Sequence, residues 1–349
     1  MSFGFGIVGL GLIANFHAQA IQALKKGKLV ACTSQFPQEV ASFSQKYQCR
    51  GYEDIKEFLK HPGLDIVSIC TPSGLHLDAA LEAAEAGKAV IIEKPLEISL
   101  ERCDRIIEAC ARKKVLLAGV FQSRFSPLSG LIKKTLQEGR FGRLVLGDAY
   151  VKWFRSQEYY DKGGWHGTWK LDGGGALMNQ SIHAIDLLQW YMGAVDSISA
   201  FAATLGHERI EVEDAAVATL QFKSGALGVI EGTTAIYPGF LKRLEISGTR
   251  GSAIQEEEIL RAWSFAEERD EDRGIRERYA VKTTKGGGAS DPGAIDSEGH
   301  RRQFQDLIEA LEQGREPLVN GTEARKSVEI IVGIYRGVRE GKRVTLPLS

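Results

Sequence analysis

Three things are missing from these 349 residues: a Cys-x-x-Cys pair, an excess of charge of one sign, and any apolar run approaching the ~18 residues of a membrane span. Each absence excludes something. The five cysteines, Cys32, Cys49, Cys70, Cys103 and Cys110, all lie in the first third and are odd in number. They do not make a closed disulfide framework or a zinc knuckle, and read as reduced, mostly buried thiols of a cytoplasmic protein. Lys and Arg number 44 against 45 Asp and Glu, a formal net charge of −1 with no basic stripe. That argues against a nucleic-acid or membrane-surface partner. Met1–Phe16 is apolar but lacks the charged start of a secretory leader, and its glycines are better used as a strand and turn. The length allows two domains.

What is present falls into two rhythms. Up to Gln122, short apolar runs (Phe3–Leu10, Leu29–Thr33, Leu64–Cys70, Ala89–Ile92, Val115–Val120) alternate with amphipathic stretches (Ala14–Leu24, Gln38–Lys46, Glu53–Lys60, Leu75–Ala86, Leu100–Lys113). Strands alternating with helices predict an α/β fold, a mostly parallel sheet covered on both faces. After a helix near Leu128–Glu138 the pattern changes. A strand, Leu144–Trp153, leads into an irregular aromatic loop, Phe154–Asp172, and a helix, Ala176–Met192. Ser197–Ala203, Ala215–Phe222, Ala226–Thr233, Leu241–Ser247 and Ser252–Gln255 then follow as strands without intervening helices. Lys223-Ser224-Gly225 and Gly248-Thr249-Arg250-Gly251 are hairpin turns, which predicts an antiparallel sheet. Glu267–Arg273 reads as a solvated turn, and Lys285–Gly293, with four glycines and a proline, as a mobile loop. Helices at His300–Glu312 and Thr322–Glu340 finish the chain. The expected division is a dinucleotide-binding domain over 1–122 and a substrate-binding and oligomerisation domain over 123–349.

The chemistry starts at Gly9-Leu10-Gly11-Leu12-Ile13-Ala14. This Gly-x-Gly-x-x-Ala pattern follows a strand and opens a helix. Its first glycine allows a tight turn, the second lets backbone approach a diphosphate, and the small third residue brings the helix close to the strand. The N–H groups at Leu12 and Ile13 then stand free at a helix N-terminus, with its partial positive charge. The second strand ends Ala31-Cys32-Thr33-Ser34-Gln35 with neither the carboxylate that selects NAD nor an arginine that welcomes NADP, so both cofactors stay open. Thr71, Pro72 and His76, after the next strand, are placed to touch the cofactor, although a helix-start histidine in solvent is the alternative.

Glu93-Lys94-Pro95 ends a further strand on the same side. A lysine there can hydrogen-bond a reacting oxygen and stabilise developing alkoxide; an exposed surface lysine is the alternative. At 100° per residue, Asn179, His183, Asp186 and Trp190 share one narrow helical stripe. His183 suits removal of a hydroxyl proton. Asp186 either orients that imidazole or pairs with a basic group. No His-x-x-x-His, cysteine or carboxylate cluster stands beside them, so no metal is expected. In the loop, Tyr160 and Trp165 offer faces on which a sugar can stack, and Arg124 is the best cation for a substrate carboxylate or phosphate.

Gly9–Ala14, Thr71-Pro72 with His76, Glu93-Lys94-Pro95, Gln122-Ser123-Arg124-Phe125 and Gly173-Gly174-Gly175-Ala176 running into His183 together resemble the Gfo/Idh/MocA oxidoreductases over the whole chain. The resemblance implies a Rossmann domain, then an α/β domain whose large open antiparallel sheet carries homodimer or homotetramer contacts. It implies NAD(P)-dependent hydride transfer at a hydroxyl-bearing carbon of a sugar, cyclitol or sugar nucleotide. Lys94 and His183 are then catalytic, and Glu93, Lys94 and Gln122 join the cofactor contacts. The family often has aspartate where Asn179 stands; an amide cannot act as a base but can hold a substrate hydroxyl. Gly-Gly-Gly-Ala-Leu-Met-Asn-Gln, with Tyr159-Tyr160 and Trp165-x-x-x-Trp169, resembles a branch that includes UDP-N-acetylglucosaminuronate 3-dehydrogenases. A redox-assisted glycosidase or lyase with retained NAD, and a non-catalytic nucleotide-binding regulator, are the alternatives.

Overall fold

The computed structural model describes residues 2–280 and 297–348; the glycine-rich Lys285–Gly293 lies outside them. The described residues divide into two compact units.

The first unit holds the chain through Gln122, residues Lys170–Gly173, and the segment that carries the helix Glu298–Gln313 and ends at Val328. Its strands are β1 (Phe3–Val8), β2 (Gly27–Thr33), β3 (Arg50–Tyr52), β4 (Ile66–Ile69), β5 (Ala89–Ile92) and β6 (Leu117–Gly119). They form one sheet in the order β3-β2-β1-β4-β5-β6, parallel throughout. Every residue of β4 and β5 is buried, which is why both read as unbroken apolar runs rather than alternating ones. The chain winds one way from β1 to β3 and then crosses back to β4. The carboxyl ends of β1 and β4 therefore flank the switch point where such sheets bind ligands. Helix limits follow local chemistry: Ser99 caps Leu100–Lys113 by accepting the Arg102 N–H, and Lys114 ends it in a left-handed conformation.

A division at residue 122 follows the change of rhythm along the chain. The structure also returns Glu298–Gln313 to the first unit, because that helix supplies core to it. Phe304 stacks on Phe5 at 5.8 Å, and Gln303 donates to the Gly119 carbonyl at 2.6 Å.

The second unit is built on an eight-stranded sheet: β7 (Leu144–Lys152), β8 (Val195–Ala203), β9 (Ala215–Phe222), β10 (Leu227–Thr233), β11 (Arg243–Gly248), β12 (Gly251–Glu256), β13 (Ile259–Phe265) and β14 (Val344–Thr345). The order is β13-β12-β11-β7-β10-β9-β8-β14, antiparallel except for β7 beside β10. Burial alternates along β9 and β12, so one face is covered and the other open. The helix Ile182–Met192 lies on the covered face at small residues: a side chain at Gly147 would meet Met192 at 2.6 Å, and one at Gly232 would meet Ser181 at 2.6 Å.

Several local expectations change. β3, β13 and β14 were not visible as strands; β13 follows a tight turn in which Glu257 takes φ +50°, among charged residues that mask the apolar alternation. Part of the aromatic loop, Gln157–Gly163, is helical. Glu267–Arg273 is not merely a solvated turn: the helix Asp270–Tyr279 starts within it, and Asp272 is fully buried against Arg140 and Trp263. The helix expected over Ala176–Met192 is a π-helical turn, Ala176–Ser181, running into the α-helix.

Candidate active site

In the first unit the glycine turn does what its spacing implies. Gly9 has φ +84°, and a Cβ there would lie 2.7 Å from the Thr71 backbone nitrogen. Glycine is required because β1 and β4 part here at backbone contact. Gly11 caps the helix Leu12–Gln22 and has nothing within 4 Å of where its Cβ would stand. The first N–H groups of this helix have no intrahelical acceptor, and Ala14 is buried. Further along the same sheet edge, the buried Thr71 Oγ1 and Gln122 Oε1 have no hydrogen-bond partner. An unsatisfied buried polar atom costs about 1–3 kcal/mol, so these two atoms and the open cradle fit a polar dinucleotide.

Ser34, the residue after β2, has no carboxylate of its own, yet the structure brings one to it. Ser34 donates to Glu39, in the first turn of the helix Pro37–Tyr47, at 2.8 Å. Glu39 also lines a shallow pocket of about 330 Å³ with Leu10, Asn15, Phe43 and Lys46. A search for an acid at the strand end misses Glu39, because it stands five residues beyond Ser34.

His76 and Glu93 are both turned inward. His76 is buried, with Nδ1 3.0 Å from the Pro95 carbonyl and Nε2 3.0 Å from that of Thr71. It stands between the loop after β4 and the loop after β5, and burial lowers its pKa, so the neutral ring donates to one of the two carbonyls. Glu93, expected among the cofactor contacts, is also buried; its carboxylate accepts from His17 at 2.8 Å and from the Lys94 N–H at 2.9 Å. Thr71, Pro72 and Lys94 stand partly exposed at the strand ends. His17 was not singled out in the sequence, where it reads as one more residue of a helix.

In the second unit the glycines hold the π-helical turn. A Cβ at Gly175 would lie 1.9 Å from the Glu213 carbonyl oxygen, and one at Gly174 2.1 Å from the Tyr335 hydroxyl. The buried Glu213 carboxylate accepts the N–H groups of Gly175 at 3.0 Å and Leu177 at 2.9 Å, and the Tyr335 hydroxyl at 2.9 Å. Burial raises its pKa against these donors. It is the anion at this helix start. Asn179, His183 and Trp190 are partly exposed along the stripe.

Around Asn179 the contacts are local. Gln180 donates to its Oδ1 at 3.0 Å, its Nδ2 lies 3.5 Å from His166 Nδ1, and Tyr159 stacks on His166 at 4.7 Å. Trp165 also packs on His166, 3.8 Å between ring centroids. His166 was not picked out from the sequence. Arg155 is buried and donates to Gln180 at 2.9 Å.

Two residues expected at the substrate, Arg124 and Tyr160, are both buried. Arg124 is buried and grips Asp186 with two hydrogen bonds, of 2.8 and 2.6 Å. Asp186 thus pairs with a basic group, one of the two roles open to it. Tyr160 is also buried, its hydroxyl 2.9 Å from Thr234 Oγ1 and its ring edge-on to His207.

A dinucleotide cradle at the switch point of a parallel sheet, carried with a second unit built on an open sheet, defines a pyridine-nucleotide-dependent oxidoreductase. The comparisons with known proteins agree. Residues 3–121 match the description "Oxidoreductase family, NAD-binding Rossmann fold", and residues 131–254 match the GFO/IDH/MocA C-terminal domain. The chain belongs to the Gfo/Idh/MocA family. It is 34% identical to the WlbA dehydrogenase of Bordetella pertussis, solved with NADH and UDP-GlcNAcA, with a TM-score of 0.90 covering 100% of this chain and 98% of that one. Among curated relatives it is 25% identical to myo-inositol 2-dehydrogenase of Thermotoga maritima, over 98% of both chains. It is 27% identical to scyllo-inositol 2-dehydrogenase (NAD(+)) of Bacillus subtilis, over 98% of this chain and 96% of that one. It is an oxidoreductase with an NAD-binding Rossmann domain. Among the described residues no helix is long and apolar enough to cross a membrane.

Proposed function

We propose that the enzyme oxidises the 3-hydroxyl of a UDP-activated N-acetylhexosaminuronate, with NAD as acceptor. The carrying observation is the full-length likeness to the WlbA dehydrogenase, joined to the Gly173–Gln180 segment folded here as a glycine-held π-helical turn. Bound NAD supplies the hydride acceptor. The chain supplies the proton chemistry: Lys94 polarises the reacting oxygen and His183 accepts its proton. Asn179, which carries no charge, holds a neighbouring hydroxyl. Gly9, Gly11, Leu12, Ile13, Thr71, Pro72 and Gln122 hold the dinucleotide. Ser34 and Glu39 favour NAD, because the Glu39 carboxylate repels a 2′-phosphate. The open sheet face, with Phe201 86% exposed opposite Val217 in the register, is the surface through which we expect copies to associate.

The test is steady-state reduction of NAD and NADP with UDP-N-acetylglucosaminuronate, myo-inositol and levoglucosan. The proposal expects turnover with the nucleotide sugar and NAD, free NADH accumulating, and a switch toward NADP in Glu39→Gln. Turnover confined to the unphosphorylated cyclitol or sugar would refute the substrate assignment. NADH that never leaves the protein would favour elimination chemistry instead.

A further inference from the structure

The first unit holds a buried polar chain that the dehydrogenase reading does not use. His17, in the middle of the helix Leu12–Gln22, is fully buried. Its Nδ1 lies 2.7 Å from Ser68 Oγ on β4 and 3.2 Å from Cys70 Sγ, and its Nε2 lies 2.8 Å from Glu93 Oε1. The other Glu93 oxygen accepts the backbone N–H of Lys94 at 2.9 Å. His300 stands beside the pair, with Nε2 3.7 Å from Glu93 Oε1, and Phe304 packs edge-on against His17 at 5.0 Å.

The proton positions follow from burial. Desolvation disfavours imidazolium at His17 and lowers its pKa. The same effect is the largest influence on Glu93 and opposes its charge, but hydrogen bonds and charge interactions with His17 and His300 together outweigh it and hold the carboxyl well below its usual range. Burial pushes the Cys70 thiol well up, so it stays protonated. A neutral His17 thus donates from Nε2 to a carboxylate, while Nδ1 accepts from the Ser68 hydroxyl or the Cys70 thiol.

Two imidazoles and a carboxylate also invite a metal reading, since their ligand atoms lie within 4.8 Å of one another. The spacing does not favour it. Two ligand atoms on one tetrahedral zinc stand about 3.3 Å apart, given bonds of about 2.0 Å. His17 and Glu93 are at hydrogen-bond distance, and the second carboxylate oxygen is spent on Lys94.

We propose that His17 is a positioning residue for the reaction: it fixes the rotamer of Glu93, and Glu93 fixes the backbone from which the Lys94 side chain starts. The helix that carries His17 also opens the glycine turn at Gly11. The dinucleotide cradle and the Lys94 loop are thereby braced against one another through Ser68, His17 and Glu93. The functional consequence rests on Lys94 being catalytic; the hydrogen-bond chain itself does not.

The test compares His17→Leu, which cannot donate, His17→Gln, whose amide replaces the Nε2–H, and Lys94→Ala. Two readouts are taken: amide hydrogen exchange at Lys94, which needs no substrate, and turnover of UDP-N-acetylglucosaminuronate with NAD. His17→Leu is expected to speed exchange at Lys94 and to lower kcat about 10–100-fold, the scale of a misplaced catalytic group, with KM for NAD nearly unchanged. His17→Gln should restore both. If His17→Leu does not fold, Ser68→Ala, which frees the acceptor side of the ring, should give the same changes at smaller size. Unchanged exchange and kcat in His17→Leu, or a loss that His17→Gln does not rescue, would overturn the proposal. So would a stoichiometric metal ion in the purified protein that His17→Leu removes. If Lys94→Ala keeps full turnover, the role of Lys94 fails, while the exchange data still judge the chain.

Discussion

Replacing Asp186 by asparagine removes the charge facing Arg124 and keeps the shape. Arg124 is only 2% exposed, so its guanidinium cannot turn to water. It would keep Trp190, 5.3 Å from its ring centroid, and lose the anion that accepts two short hydrogen bonds. Breaking a buried pair from one side costs about 3–5 kcal/mol, because the remaining charge is left uncompensated. At ~2–4 °C per kcal/mol for a unit of this size, Asp186→Asn should lower Tm by roughly 6–20 °C. Arg124→Met with Asp186→Leu, which removes both charges and fills similar volume, should recover much of that loss. The assay is thermal unfolding by circular dichroism across the double-mutant cycle, with KM measured at a temperature where each variant is folded. A Tm within ~2 °C of the parent, together with a large rise in substrate KM, would refute the reasoning and return Arg124 to the substrate.

Other outcomes follow from single sites. Arg140, with Trp263 and the Arg269 N–H, holds the Asp272 carboxyl well below its usual range. A depressed folded pKa contributes stability that is present above the unfolded value, near 3.8, and lost as pH falls toward the folded one. The Tm gap between the parent and Asp272→Asn should therefore be full at pH 7 and shrink below about pH 4; a gap that widens on acidification contradicts this. Gly175→Ala would push a methyl to 1.9 Å from a backbone oxygen that cannot swing aside, and should cost about 3 kcal/mol or more, read as lost soluble yield and lowered Tm. Phe201→Asp on the open sheet face should lower the mass seen by light scattering while leaving Tm of the unit nearly unchanged; an unaltered mass would remove that face from the assembly.

The legible parts of the chain were those written in local periodicity. β4 and β5 read directly because a strand buried on both faces is an apolar run, and the turn at Gly9–Ala14 because steric demands at Gly9 admit little else. β13 and β14 are short or interrupted by charge, and exist because a neighbouring strand pairs with them. The partnerships that decide side-chain roles are separated in sequence: His17 from Glu93 by 76 residues, and Arg124 from Asp186 by 62. A helical stripe can place Asp186 on one face with His183, but the stripe does not carry the identity of what covers that face. Glu39 was hidden for a simpler reason, since the carboxylate at the end of β2 comes from the following helix rather than from the strand.

The central claim is hydride transfer from a nucleotide sugar to NAD with Lys94 at the reacting oxygen. Mixing purified enzyme with NAD and UDP-N-acetylglucosaminuronate and following NADH by its near-ultraviolet absorbance tests it most directly, with Lys94→Ala run beside the parent. The account predicts NADH formation by the parent and a fall of about 10² or more in kcat for the variant, with NAD still bound. NADH formed equally well by Lys94→Ala, or not at all by the parent with bound NAD, would contradict it.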